Sequence, residues 1–361
     1  MPQVLVKSFS LVSWPRQAIK FLILLVLLAN VRSLPLVWHV RLFLPAINIR
    51  LRYCALKVRH TFKDAKAKTT VLNDWIESLC PIGANPFEMS TTIKGWTSID
   101  DVDFNGHLSN SSYAKTLDFA RLESALRAFP AFTRSGGWVG LGSTHYHFIR
   151  EIPVFTSYEI RTNFGAWDGK WVYVVSRFVS FSGKRPIRPK TSPLDAYIHR
   201  PSCLTTFQAS GDCNSPLPVG RTLEETIVTA AARLHPSDGD NVTLHCVAIS
   251  RFCFKHGRIT IPPSIVLAGE GFSKPSAAVE SSGSYSHSHP PPHWGQVQRL
   301  RLAPYGSIET YRDFLKGRWR DIPEGGRWWD VALAGPIEIQ RKANLNLLKS
   351  LSEAMEVAQT I

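Results

Sequence analysis

Apolar positions along this chain follow two different periods, and the change from one to the other predicts its architecture. Over residues 110–129, Tyr113, Leu117 and Ala120 stand beside a stripe of Phe119, Leu122, Leu126 and Phe129, a broad apolar face at helical spacing. Lys115, Asp118 and Arg127 mark its wet or interface-facing side, and Pro130 and Gly136-Gly137 stop it. Three strands are predicted next, over residues 138–149, 154–164 and 171–180. In the second, Tyr158, Ile160, Thr162 and Phe164 alternate with Glu159, Arg161 and Asn163. Trp167-Asp168-Gly169-Lys170 is a tight hairpin signal. A further strand precedes the helix over residues 87–96, and another follows at 242–254. Short links between successive strands predict an antiparallel meander, hence an α+β fold and not a nucleotide-binding α/β one. No glycine-rich phosphate loop is present.

The flanks follow neither pattern. An apolar run from Phe21 to Ala29 is short for a bilayer span, which needs about 20 residues. The stretch after it, residues 34–47, is broken by Pro35, His39, Arg41 and Pro45. Three readings compete: a signal peptide, a short signal anchor crossing as a transmembrane helix, or a helix with an amphipathic continuation lying in the interface. No clear cleavage site follows, so retained membrane attachment is expected, with a removed signal or transit peptide as the alternative. Residues 1–60 are therefore assigned to membrane targeting and 61–86 to a connector, helical over 63–79. The central domain covers 87–272, with a Pro/Ser/Arg/Gly-rich surface insertion at 182–240. Residues 273–300 form a low-complexity linker, within which 273–293 are expected to be disordered, and 301–361 a helical extension. Leu345, Leu348, Leu351 and Met355 line one side of its last helix.

Charge sharpens the N-terminal reading. The net charge is +14, yet residues 1–63 hold ten Lys/Arg and no Asp or Glu, leaving +4 for the rest. A nucleic-acid binder would carry its basic residues on the folded domain, interleaved with aromatics. Here they accompany a greasy segment, which points to membrane lipid and away from nucleic acid. Lys and Arg are denser after that segment than before it, which places the folded domain in the cytosol. The six cysteines show no Cys-x-x-Cys and no zinc spacing, so they read as free thiols; Cys203 and Cys213 flank a loop and could bridge in an oxidising compartment. His145 and His147 share one strand face, but no carboxylate completes a ligand set with His107, and no metal is expected.

The densest chemistry lies between the first strand and the helix. There Asp101, Asp103, Gly106, His107 and Asn110 fall within a few residues of a helix N-terminus, with Ser109 or Asn110 as N-cap. Unpaired first-turn amides and the helix dipole favour a developing negative charge, and Gly106 allows close backbone approach. Asp103 could serve as general base or nucleophile beside an oxyanion hole of helix amides. A turn-rich loop that merely caps a helix accounts for the same residues equally well. Asn110-Ser-Ser is also a glycosylation sequon, as is Asn241-Val-Thr; a glycan on Asn110 would obstruct the site.

The run Asp103-x-x-Gly106-His107-x-x-Asn110-x-x-Tyr113, with Arg121 eight residues beyond, resembles the signature of hotdog-fold acyl-CoA thioesterases. The likeness covers about residues 87–181 and resumes near 242–272. It is closest to the branch typified by thioesterase superfamily member six, which includes fungal proteins with an N-terminal hydrophobic segment. Ser109 departs from the pattern, standing where many members have the first of two Asn residues. The resemblance implies a curved antiparallel sheet wrapped around a long helix, and hydrolysis of acyl-CoA or a related acyl thioester without a cofactor. It implies a homodimer with sites at the interface. Asp103 would activate water or attack the carbonyl, Gly106 and His107 would polarise the thioester oxygen, and Asn110 would position substrate. Tyr113 would pack an acyl tunnel and His145 would approach the neighbouring site. Lys255 and Arg258, in the run that follows the last strand, could meet the coenzyme phosphates or equally form an ordinary basic turn. The alternative is a hotdog module that binds acyl chains or a partner without hydrolysis.

Overall fold

A computed structural model describes residues 16–181, 242–273, 285–302 and 304–357. The sheet holds β1 (Ser90–Trp96), β2 (Trp138–Phe148), β3 (Ser157–Trp167), β4 (Val172–Phe181), β5 (Val242–His256) and β6 (Ile259–Ile261). Its order is β1-β3-β4-β5-β2, antiparallel throughout, with β6 added to β5. The long helix α4 (Asn110–Ala128) lies against one face. α2 (Val37–Arg59) and α5 (Pro130–Arg134) contact it, and the N-terminal part also holds α1 (Arg16–Ala29) and α3 (Ala65–Glu77). The C-terminal half adds α6 (Pro263–Gly269), α7 (Trp294–Arg301), α8 (Ile308–Leu315), α9 (Trp328–Ala332) and α10 (Pro336–Val357).

Alternation along the strands assigns the two faces. Ile160, Phe178 and Ala248 pack with Tyr113, Leu117 and Ala120 of α4, while Val175, Val247 and Ile249 turn to the other side and meet Leu348 of α10. Covered on both faces, Val172–Val179 is buried without interruption. The contact with α10 depends on a β-bulge at Gly165 in β3, where a Cβ would come within 2.7 Å of Leu348 Cδ1. Asn344 and Arg341 of α10 donate to the carbonyls of Gly165 (2.8 Å) and Trp167 (2.6 Å) and fix the helix there.

Three expectations change. β2 and β3 are not hairpin neighbours: β2 forms the far edge beside β5, and β3 lies next to β1. The link between them crosses the end of the sheet because Ile152, fully buried, anchors it against α4 and its amide-accepting carbonyl holds Leu108 (2.8 Å). The end of the run expected to be disordered, 273–293, is docked, with Pro291 buried just before α7. His293 and Trp294 are buried, and Arg301 donates to Gly269 O (2.8 Å) and Cys80 Sγ (3.1 Å) beneath them. Nearby, Glu270 accepts the first amides of α5, from Ala131 and Phe132, and burial pushes its pKa up. Trp328 and Trp329 belong to this same core.

The third concerns the membrane. No helix among the described residues is long and apolar enough to cross one, so the transmembrane helix is not found. The greasy run forms α1, whose 14 residues extend about 21 Å against a hydrocarbon core of about 30 Å. The insertion at 182–240, with Cys203 and Cys213, lies outside the described residues.

Candidate active site

The polar stretch before α4 folds into a compact double-backed loop. Asp103 N donates to His107 O (2.9 Å) and Gly106 N to Asp103 O (3.1 Å). Gly106 sits at φ +80° with open space around its Cα, so conformation and not crowding requires glycine there. The loop is pinned to the β2–β3 link through Leu108 N to Ile152 O (2.8 Å) and Val154 N to Gly106 O (2.9 Å). Ser109 then caps α4, accepting from Ser112 N at 3.3 Å.

The two carboxylates have different surroundings. Asp103 is half-buried, and its Oδ1 accepts the amides of Asn105 (2.9 Å) and His107 (3.2 Å). Asp101 is buried and receives Ser98 Oγ (2.6 Å), Lys115 Nζ (3.2 Å) and Arg32 Nη1 (3.3 Å). Burial opposes its ionisation, but the Ser98 hydroxyl and the cations of Lys115 and Arg32 outweigh that and lower its pKa. Asp101 is thus an anchor that ties the N-terminal arm to α4. His107 Nδ1 lies 3.2 Å from Glu151 Oε2 without hydrogen-bond alignment. Trp96, Phe104 and Phe155 stand exposed around the loop, with Trp96 and Phe155 stacked at 6.4 Å.

Asp103, Gly106, His107 and Asn110 are therefore brought together by one loop and the helix it feeds. The other predicted residues lie elsewhere. Tyr113 is buried, edge-on to Phe148 (5.1 Å) and Phe178 (4.8 Å), and burial pushes its phenol pKa up. His145 lies within β2 opposite Ile249. Lys255 pairs with Trp138 at the opposite end of β2 from Phe148, with Arg258 just beyond at the β5–β6 turn. That places both about 33 Å along an 11-residue strand from the end on which the Asp103 loop docks. Within one protomer they do not meet Asp103.

A cavity of about 450 Å³ opens instead between the second half of α4 and the sheet. Leu122, Ala125, Leu126 and Phe129 form its helix wall, Val172, Val174, Phe252 and Phe254 its sheet wall, and Leu42 and Phe43 of α2 its roof. Neither Asp103 nor Tyr113 lines it. Asp118, Arg121 and Ser124 bring polarity to one side. Arg121 donates to Asp118 Oδ1 (2.9 Å), Thr144 Oγ1 (2.6 Å) and Ser250 Oγ (2.9 Å), spanning from helix to sheet. Polar residues interleaved with an apolar helix face are the sequence signal of this lining. Among the described residues no group of three His, Cys, Asp or Glu side chains could hold a metal ion.

Comparison with known proteins gives one family model, that of the thioesterase-like superfamily, matching residues 97–189. The thioesterase poxG of Penicillium oxalicum is 26% identical over 270 residues, covering 70% of this chain and 71% of that protein. The probable thioesterase atnL of Emericella nidulans is 24% identical over 293 residues, covering 75% and 77%. Protein THEM6 of Drosophila melanogaster is 36% identical over 102 residues, covering 26% of this chain and 50% of its own.

Proposed function

Given a match to the thioesterase-like superfamily over residues 97–189, we propose that this chain hydrolyses an acyl-CoA or related acyl thioester at the loop preceding α4. The observation that carries this is the Asp103 carboxylate, oriented through Oδ1 by the Asn105 and His107 amides beside the Ser109-capped N-terminus of α4. Its other oxygen is left to take a proton from water or to attack the thioester carbon itself. In the first route the water oxygen forms the new C–O bond, the C–S bond breaks, and the departing thiolate takes the proton held by Asp103. In the second the Asp103 oxygen displaces the thiolate to give an anhydride, which water then cleaves, restoring the carboxylate and supplying the thiol proton. First-turn amides of α4 stabilise the oxyanion, aided by His107, while Gly106 permits close approach and Asn110 orients the substrate. No cofactor enters this chemistry.

Lys255 and Arg258 join such a site only through a second copy. β2 is an edge strand presenting Trp138, Leu141 and Phe148 to solvent. Antiparallel pairing of two β2 edges would set the Lys255 end of one protomer beside the Asp103 end of the other, with His145 near the join. The reading therefore includes a homodimer whose basic residues meet the coenzyme phosphates. It also includes attachment to a cytosolic membrane face through α1, lying in the lipid interface. Every residue from Phe21 to Leu28 is exposed, and no acidic residue precedes Asp64.

Thiol release from an acyl-CoA series by the full chain tests the proposal. Asp103→Asn should lower turnover at least a hundredfold with the fold intact, and unchanged turnover overturns it. A second reading, acyl binding without hydrolysis, draws on the separation of the cavity from Asp103; saturable binding without thiol release would support it.

A further inference from the structure

Helix α2 is apolar on two opposite sides, and the fold covers only one of them. The inner side, half-buried, carries Trp38, Leu42, Ile49, Tyr53 and Leu56. Trp38 meets Phe119 of α4 (6.3 Å between rings), and Tyr53 meets Trp75 of α3 (5.7 Å) and lies under Arg134 of α5 (4.9 Å). On the outer side Val40, Leu44, Ile47, Leu51, Cys54 and Val58 follow one another at alternating steps of four and three residues, and every one is exposed. That spacing aligns them in one seam about 27 Å long, half a turn round from the inner residues and so directed away from α4. An exposed apolar seam of this extent marks an interaction surface.

The charges beside the seam select its partner. Arg50 and Lys57 follow one border and Arg52 and Arg59 the other, all four exposed. α2 contains no Asp or Glu, and none precedes Asp64 in the chain. A second copy of α2 laid along the seam would set cations against cations, because the positions flanking a paired seam face each other. Anionic headgroups complement them, with the Arg and Lys stems lying along the apolar boundary.

We infer that the outer side of α2 is a docking surface for an anionic lipid bilayer, with the helix lying in the interface plane, its seam at the acyl boundary and its four flanking cations among the headgroups. The exposed run Phe21–Leu28 of α1 carries no charge, so attachment there is indifferent to the headgroup, and α2 supplies the preference for anionic lipid. The turn between the two helices is fixed to the candidate site. Arg32 pairs with Asp101 (3.3 Å) and covers the Trp96 ring (4.4 Å), and Ser33 Oγ donates to Asp100 Oδ2 (2.9 Å). A bilayer seated on α2 is thereby held in a fixed relation to the loop preceding α4, so that an acyl thioester partitioned into the lipid is delivered beside that loop. This last consequence rests on the thioesterase reading; the docking surface does not.

The test accordingly uses no turnover. The full chain is co-sedimented with vesicles of phosphatidylcholine alone and with vesicles containing about 30% phosphatidylserine, with thermal melting and lipid-free light scattering of the same samples. The parent should bind the anionic vesicles more tightly, and that preference should shrink as salt is raised. Leu44→Asn with Leu51→Asn should weaken binding to the anionic vesicles about a hundredfold without lowering the melting temperature, as two exposed side chains no longer enter lipid. Arg50→Gln with Lys57→Gln should weaken it about thirtyfold and leave binding to neutral vesicles unchanged. Equal affinity of the parent and both double variants overturns the surface on α2. If Leu24→Asn with Leu27→Asn then abolishes binding, attachment through α1 stands without it. A lipid-free assembly that the Leu44→Asn, Leu51→Asn chain no longer forms would assign the seam to a second copy and overturn the lipid. Vesicle binding that follows these expectations in a chain releasing no thiol would retain the surface and retire the hydrolysis.

Discussion

The two ends of α4 are built in opposite ways. At its N-terminus, chemistry-bearing residues 101–110 are neighbours in sequence, and their hydrogen bonds mostly join positions two to four apart. At its C-terminal half, the cavity draws its walls from α2, α4, α5 and all five strands β1–β5. Arg121 and Asn110 lie about 17 Å apart along the helix axis. One end orients a carboxylate; the other offers apolar volume. The first end is written in residues adjacent in the chain, whereas the second is assembled from elements distant in it.

Substitutions at the first end should separate chemistry from anchoring. Asp103→Ala should reduce turnover most, by about a thousandfold or about 4 kcal/mol of transition-state stabilisation, without lowering the melting temperature appreciably. Steady-state thiol release and thermal melting on the same samples check both halves of that statement. Asp101→Ala should do the reverse in kind: about 2–4 kcal/mol of stability is lost, because Arg32 and Lys115 lose a buried partner. Chemical denaturation measures it.

The lowered pKa of Asp101 adds a sign. Its charged form is favoured in the folded state, so its contribution is present above the unfolded carboxylate pKa near 3.8 and is lost as pH falls through the lower folded value. Acid unfolding below about pH 4 should therefore be less steep in Asp101→Asn than in the parent. Gly106→Ala should have the smallest effect, about 1 kcal/mol, from placing a Cβ at φ +80°. Its melting temperature reports that cost, and any larger fall in turnover would locate backbone approach at Gly106.

The same contrast explains what could be read in the sequence. The 3.6-residue period of residues 110–129 reproduces α4 nearly to the residue, and Ser109 as cap follows from local chemistry. The Asp168 hairpin was equally legible, since Asp168 Oδ1 accepts the amides of Lys170 (2.8 Å) and Trp171 (2.7 Å) within its own turn. The edge position of β2 was not, because a link of ordinary length can return beside its own strand or cross the sheet. Only the burial of Ile152 against Leu108 decides it. The tunnel role of Tyr113 came from the resemblance; periodicity places it on the apolar face of α4 but cannot say that its ring partners are Phe148 and Phe178. Asp101 and Asp103 are indistinguishable in sequence; the partners Arg32 and Lys115, distant in the chain, make one an anchor. Residues up to His293 looked disordered by composition, yet His293 is buried beside Trp294, whose apolar area docks the end of that run.

The most direct test of the separation along α4 is to measure, in the Asp103→Asn chain, both thiol release from dodecanoyl-CoA and its equilibrium binding. The account predicts that release is lost while affinity stays within about twofold of the parent. Release at the parental rate, or loss of binding together with release, would contradict it.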